Sequence, residues 1–170
     1  PDEPFTMAAL SADAATVLRA VLGRPAVVIG HSMGGLVAEE LALTAPELVA
    51  ELVLEDPAWR VGRDLDPLGV PTMLRDGYLA AVGRTPVEQL AGLMADGYDW
   101  PADELEPWAA SNAAHDPRII EVPHVWDGRD WVESLAQLRL PVTLLTGDPE
   151  RGAIVDDVQV RRARELLGDL

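Results

Sequence analysis

A single stretch restricts the fold more than any other. Ala26-Val27-Val28-Ile29 is a short, uniformly apolar, largely β-branched run, and it passes directly into Gly30-His31-Ser32-Met33-Gly34-Gly35. From Met33 to Thr44 the pattern becomes helical, and Pro46 ends it. An apolar run of this length predicts a strand buried on both faces, as found in parallel sheets covered by helices. A serine placed on a sharp strand-to-helix turn takes a strained backbone, and the residues two before and two after it must be small. Gly30 and Gly34 meet that need, with His31 and Gly35 completing the turn. The turn lifts the Ser32 hydroxyl above the sheet, and the helix N-terminus beneath it favours a developing negative charge.

The alternation recurs along the chain. Met7, Leu10, Ala14, Val17, Leu18 and Val21 form a helical stripe over residues 7–22, with Thr6 as N-cap and Gly23 as stop. Leu52-Val53-Leu54 and Val142-Thr143-Leu144-Leu145 read as two more buried strands, and a last helix is predicted from about Asp156 to Leu167, before Gly168. Helix, strand, helix, strand at this spacing predicts an α/β fold with a mostly parallel sheet flanked by helices. Residues 57–138 differ: they hold all five Trp, both Tyr, many Pro and Gly, and no convincing strand. Within them Thr85-Pro86-Val87-Glu88 is a capping box with Pro at the first helical position. The predicted organisation is a sheet core in two parts, 1–56 and 139–170, interrupted by a helical insertion, 57–138. Trp59, Trp100, Trp108, Trp126 and Trp131, with Tyr78, Tyr98, Met73 and Met94, are expected mainly to pack this insertion, one or two of them lining an apolar pocket above Ser32.

Composition removes whole classes of function. Thirteen basic and twenty-nine acidic residues leave a net charge of −16, which repels phosphate backbones and argues against a nucleic-acid partner. The apolar stretches fall well short of the ~20 residues a membrane span needs. Pro1-Asp2-Glu3-Pro4 is acidic where a secretory signal would be basic and then apolar. Absence of Cys removes disulfides and thiolate metal sites and fits a reducing compartment, so a cytoplasmic location is expected. With no metal-ligand cluster and no phosphate-cradling loop, neither a metal nor a cofactor is expected, and the expected partner is a small-molecule substrate.

Gly30-His31-Ser32-Met33-Gly34-Gly35 behind a valine-rich strand resembles the nucleophile elbow of the α/β-hydrolase fold superfamily. The strand ending in Glu55-Asp56-Pro57, the helical insertion and the strand ending in Leu145-Thr146-Gly147-Asp148 follow that family's order over nearly the whole chain. The resemblance implies a Ser–His–acid triad, a helical cap, and hydrolysis of an ester, amide or related bond through an acyl-enzyme. It implies Ser32 as nucleophile, the Met33 backbone N–H as an oxyanion donor, and Asp148 as the acid, with Asp56 as the alternative. His31 is expected to buttress the turn rather than to act as base. Triad order in this fold runs Ser, acid, His, whereas His31, His115 and His124 all precede Asp148. The base is therefore expected beyond Leu170 and the family's first strands before Pro1, which would leave these 170 residues alone nearly inactive. Esterase, lactonase, carbon–carbon hydrolase and cofactor-free perhydrolase chemistry all use the same triad. Halide- and epoxide-processing members carry Asp where Ser32 stands. The alternative class is a non-catalytic protein on the same scaffold that binds a small molecule or a partner.

Overall fold

Thr6 opens the first helix as its side chain allows: its Oγ1 accepts the Ala9 N–H at 3.0 Å. The structure, a computed structural model, describes residues 4–59, 65–97, 100–126 and 128–168. In chain order the elements are β1 (Phe5–Thr6), α1 (Met7–Val17), β2 (Ala26–His31), α2 (Met33–Thr44) and β3 (Val49–Glu55). Then come α3 (Thr72–Ala81), α4 (Pro86–Ala95) and α5 (Ala102–Ala113), followed by β4 (His124–Val125), α6 (Trp131–Ser134), β5 (Val142–Leu145) and α7 (Asp157–Leu167). After α1 the coil widens into a π-helical turn over Leu18–Leu22 and stops at Gly23, whose φ of 61° lies in the left-handed region. The capping box at Asp156 starts α7, with the Asp156 carboxylate accepting the Val158 and Gln159 N–H groups at 3.0 and 2.9 Å.

The chain separates into two compact units, one made of Phe5–Val61 with Val125–Leu170 and the other of Gly62–His124 with Pro1–Pro4. The first holds a three-stranded sheet in the order β2-β3-β5, with both pairings parallel. Register sets Gly30 beside Leu54, His31 beside Glu55, and Glu55 beside Leu145, so the strand ends that carry the candidate residues line up. α2 packs on β2 and β3. Leu36 and Leu41 from α2 and Leu52 and Leu54 from β3 are almost completely buried, each contributing ~1.5–3 kcal/mol of apolar burial.

The strands are not buried on both faces. Val27 and Ile29 of β2 are 56% and 67% exposed and Leu145 of β5 is 50% exposed, while their alternating neighbours Val28 and Leu144 pack against the core. A pleated strand sends every second side chain to the opposite face. Among the described residues, helices bury one of the two faces of β2.

The unit limits at 62 and 124 are narrower than the predicted insertion of 57–138, for a packing reason. Trp59, Trp131, Val132, Leu135 and Leu138 all belong to the core of the sheet unit, and Trp126 packs against it. In the helical unit α4 packs on α5. Thr85 forms the predicted box, with Glu88 Oε2 accepting its N–H at 2.7 Å and Thr85 Oγ1 accepting the Glu88 N–H at 3.3 Å. Trp100 stacks on Trp108 at 5.2 Å between ring centroids. Among the described residues no helix is long and apolar enough to cross a membrane.

Candidate active site

At the C-terminal end of β2 the chain turns into α2 on one residue. Ser32 has φ 51° and ψ −120°, a combination that residues with a Cβ rarely adopt. Three backbone hydrogen bonds hold it there. Its N–H donates to the Glu55 carbonyl at 3.0 Å, and its own carbonyl accepts from Gly35 N–H at 2.9 Å and from Ala58 N–H at 3.0 Å. The residue occupies the N-cap of α2, yet its side chain makes no capping hydrogen bond. A serine at that position ordinarily turns its oxygen onto the first helical turn. Ser32 is half-buried and does not. Met33 packs its side chain against the core, and its N–H belongs to the first turn of α2, where donors lack an intrahelical acceptor.

The glycines divide the steric work differently from the sequence rule. A Cβ on Gly30 would lie 2.3 Å from the Gly34 carbonyl oxygen and 2.8 Å from Ala38 Cβ. One on Gly35 would lie 2.7 Å from Pro57 Cβ, whereas one on Gly34 meets nothing within 4 Å. The requirement for a small residue after the serine therefore falls on Gly35, because the 56–59 segment crosses α2 there, and Gly34 contributes only its backbone. Gly34→Ala is expected to fold and to raise the melting temperature slightly, since Ala exceeds Gly in helix propensity by about 0.8–1.0 kcal/mol; thermal denaturation measures it.

The two carboxylates have different surroundings. Asp56, at φ 40°, follows β3 directly and donates its N–H to the Leu145 carbonyl at 2.8 Å. Its carboxylate accepts the Ile154 N–H on both oxygens, at 3.1 and 2.9 Å, and the Val155 N–H at 3.0 Å. Asp148, after β5, is exposed and accepts the Glu150 N–H at 2.9 Å. His31, Glu55, Asp56, Asp148 and Arg151 line one cavity of about 440 Å³. Ser32 is not among its lining residues; it stands one position after His31 at the same strand end.

The other histidines are engaged in local contacts. His115 meets the Tyr78 ring edge-on at 4.8 Å between centroids, and the His124 Nε2 lies 2.8 Å from the Ile119 carbonyl. Tyr78 and Trp108 line a separate cavity of about 510 Å³ within the helical unit. Tyr98 and the side chain of Met73 lie outside the described residues.

Sequence reasoning missed the polar group beneath the turn. Glu39 is completely buried and accepts the Trp59 indole N–H at 3.0 Å; its other oxygen is hydrogen-bonded to Ser134 Oγ. Burial pushes its carboxyl from the ordinary 4.5 up to about 7, against those two hydrogen bonds and the nearby Arg129 charge. The adjacent Glu40 pairs with Arg129 at 2.5 Å. A signal was present: Leu36, Glu39, Glu40 and Leu43 share the i, i+3, i+4, i+7 stripe of a core-facing helix.

Comparison with known proteins adds a family. Residues 1–147 match the family model described as the alpha/beta hydrolase fold. A Mycobacterium tuberculosis protein named as a non-heme bromoperoxidase, BpoC, is 41% identical over 61 residues, which are 36% of this chain and 23% of that protein. Two solved structures share the fold. The N-formylmaleamic acid deformylase Nfo of Pseudomonas putida S16 superposes with a TM-score of 0.67 at 22% identity, over 98% of this chain and 64% of that one. The esterase Rv0045c of Mycobacterium tuberculosis gives 0.62 at 22% identity, over 95% of this chain and 56% of that one. The chain thus spans less than two thirds of the length of each of these proteins.

Proposed function

We infer the chemistry from one premise: the chain belongs to the alpha/beta hydrolase family. On that premise it is a serine hydrolase in which Ser32 attacks the carbonyl carbon of an ester or related bond in a small, apolar substrate and forms an acyl-enzyme. The backbone of Ser32 carries the inference. Its φ of 51° is held by three hydrogen bonds while its hydroxyl is withheld from the helix cap. Sparsely populated backbone of this kind costs ~1–3 kcal/mol and persists where surrounding structure over-determines it.

The other roles follow from what each group has left to give. In this mechanism the Met33 N–H receives the developing oxyanion. A carboxylate offers about four acceptor sites. Asp56 commits three contacts to Ile154 and Val155, and Asp148 commits one to Glu150. Asp148 is accordingly the acid that orients the base, and Asp56 an anchor for the 153–155 segment. The general base of this mechanism is a histidine, and His31, beside the nucleophile on the same tight turn, buttresses that turn instead.

A fluorophosphonate probe on the full-length protein tests this. Labelling should map to Ser32 and vanish in Ser32→Ala. Asp148→Ala should slow it by about 10⁴-fold, the loss seen when a triad aspartate is removed. An unlabelled Ser32 in a folded protein would overturn the inference and favour a non-catalytic binder on this scaffold.

A further inference from the structure

The strained serine depends on a segment that another residue holds. Residues 56–59 close over the bend: Ala58 donates its N–H to the Ser32 carbonyl at 3.0 Å, and the buried Pro57 occupies the space that a side chain on Gly35 would need. The segment ends in Trp59, only 8% exposed, whose indole N–H donates to Glu39 at 3.0 Å. Glu39 lies on α2 two turns below Ser32 and also engages Ser134, the last residue of α6. One buried carboxyl thus joins α2, the 56–59 segment and α6.

We propose that Glu39 is a positioning residue for Ser32: by tying Trp59 and Ser134 to α2 it fixes the segment that pins the nucleophile's backbone. This rests on Ser32 being the nucleophile. Glu39 touches no reacting atom and acts only through Trp59 and the segment before it.

The hydrogen-bond inventory specifies which form of Glu39 does this. Ser134 Oγ lies within bonding distance of both Glu39 and the Trp131 carbonyl, the latter at 2.8 Å, but a hydroxyl has one proton to donate. A protonated Glu39 resolves the conflict: its O–H donates to Ser134 Oγ, which then donates to the Trp131 carbonyl, while the other Glu39 oxygen accepts from Trp59. The charges around it are already engaged. Arg129 pairs with Glu40 and lies 4.7 Å from the Trp131 ring centroid, Glu133 is held by Arg162 of α7, Asp130 accepts the Glu133 N–H, and Asp56 binds the 154–155 backbone. Burial, the largest influence, keeps the carboxyl protonated up to about pH 7. Its folded value is raised, so the stability it contributes is complete below about 4.5, where the unfolded chain is also protonated, and is lost as pH rises through about 7.

The experiment combines fluorophosphonate labelling of the full-length protein with tryptophan fluorescence from pH 5 to 9. Wild-type fluorescence should titrate near pH 7. Glu39→Gln, whose amide can accept from Trp59 and donate to Ser134, should label at the wild-type rate and lose the titration. Glu39→Leu should label at least tenfold more slowly. Trp59→Phe removes the indole N–H while keeping an aromatic ring in the core; it should slow labelling several-fold and lose the titration, whether or not the Leu variant folds. Wild-type labelling rates in Trp59→Phe, or a titration that persists in Glu39→Gln, would overturn the proposal. A wild-type Ser32 that never labels would instead overturn its premise.

Discussion

Gly30→Ala should destabilise the sheet unit by about 3 kcal/mol or more, at the upper end of what overpacking costs. The added methyl would sit 2.3 Å from the Gly34 carbonyl oxygen, 2.7 Å from its carbon and 2.8 Å from Ala38 Cβ. None of these is the tip of a flexible side chain; all belong to the first turns of α2. Strand β2 cannot yield either, because Gly30 is held in register with Leu54 on β3. Relief would require moving α2 off the sheet, which opens contacts made by Leu36 and Leu41. A urea titration measures the loss, with Gly34→Ala as the control for adding the same methyl four residues later. Equal midpoints for the two variants would show that β2 and α2 do not meet as closely as described.

Asp56→Ala should cost about 2–4 kcal/mol, because the Ile154 and Val155 N–H groups lose their acceptor and each orphaned donor costs ~1–3 kcal/mol. Its backbone adds to this. At φ 40° Asp56 sits in the left-handed region, which Asp and Asn tolerate better than Ala. Asp56→Asn, which keeps one acceptor oxygen and the tolerant backbone, should lose less than half as much. Asp148 is exposed, and Asp148→Ala should stay within about 1 kcal/mol of wild type, the worth of an N-cap. The pair therefore separates an anchor from a triad acid: one variant loses stability, the other loses labelling of Ser32. If both lose stability equally, that division of labour is wrong.

Local signals in the sequence were strong where a short-range rule sets the structure. Met33 to Thr44 and Val142 to Leu145 were readable because hydrophobic period and Pro punctuation act within a few residues, and both elements have those limits. The caps at Thr6 and Thr85 were legible for the same reason. Properties that depend on distant chain were not. Whether Val27 and Ile29 are covered is decided by what packs on β2, and their residue types do not reveal it. The demand on Gly35 comes from Pro57, which lies 22 positions away in sequence. Trp59 and Trp131 looked like insertion residues by composition but complete the core of the sheet unit. Asp56 showed only its place after a strand, and its commitment to residues 154 and 155 required the fold. Glu39 lies on the core-facing stripe of α2, but its partners Trp59 and Ser134 are 20 and 95 positions away and required the fold.

The conformation of Ser32 also sets the terms for engineering this chain. At φ 51° the amino acid that fits most comfortably is glycine, which has no Cβ to strain. Substituting it would make the molecule hardier and leave it without its hydroxyl. Directed evolution for heat resistance alone would therefore reward loss of the Ser32 hydroxyl, and any library built on it should be scored in the same round for fluorophosphonate labelling, the readout of the role proposed for that hydroxyl.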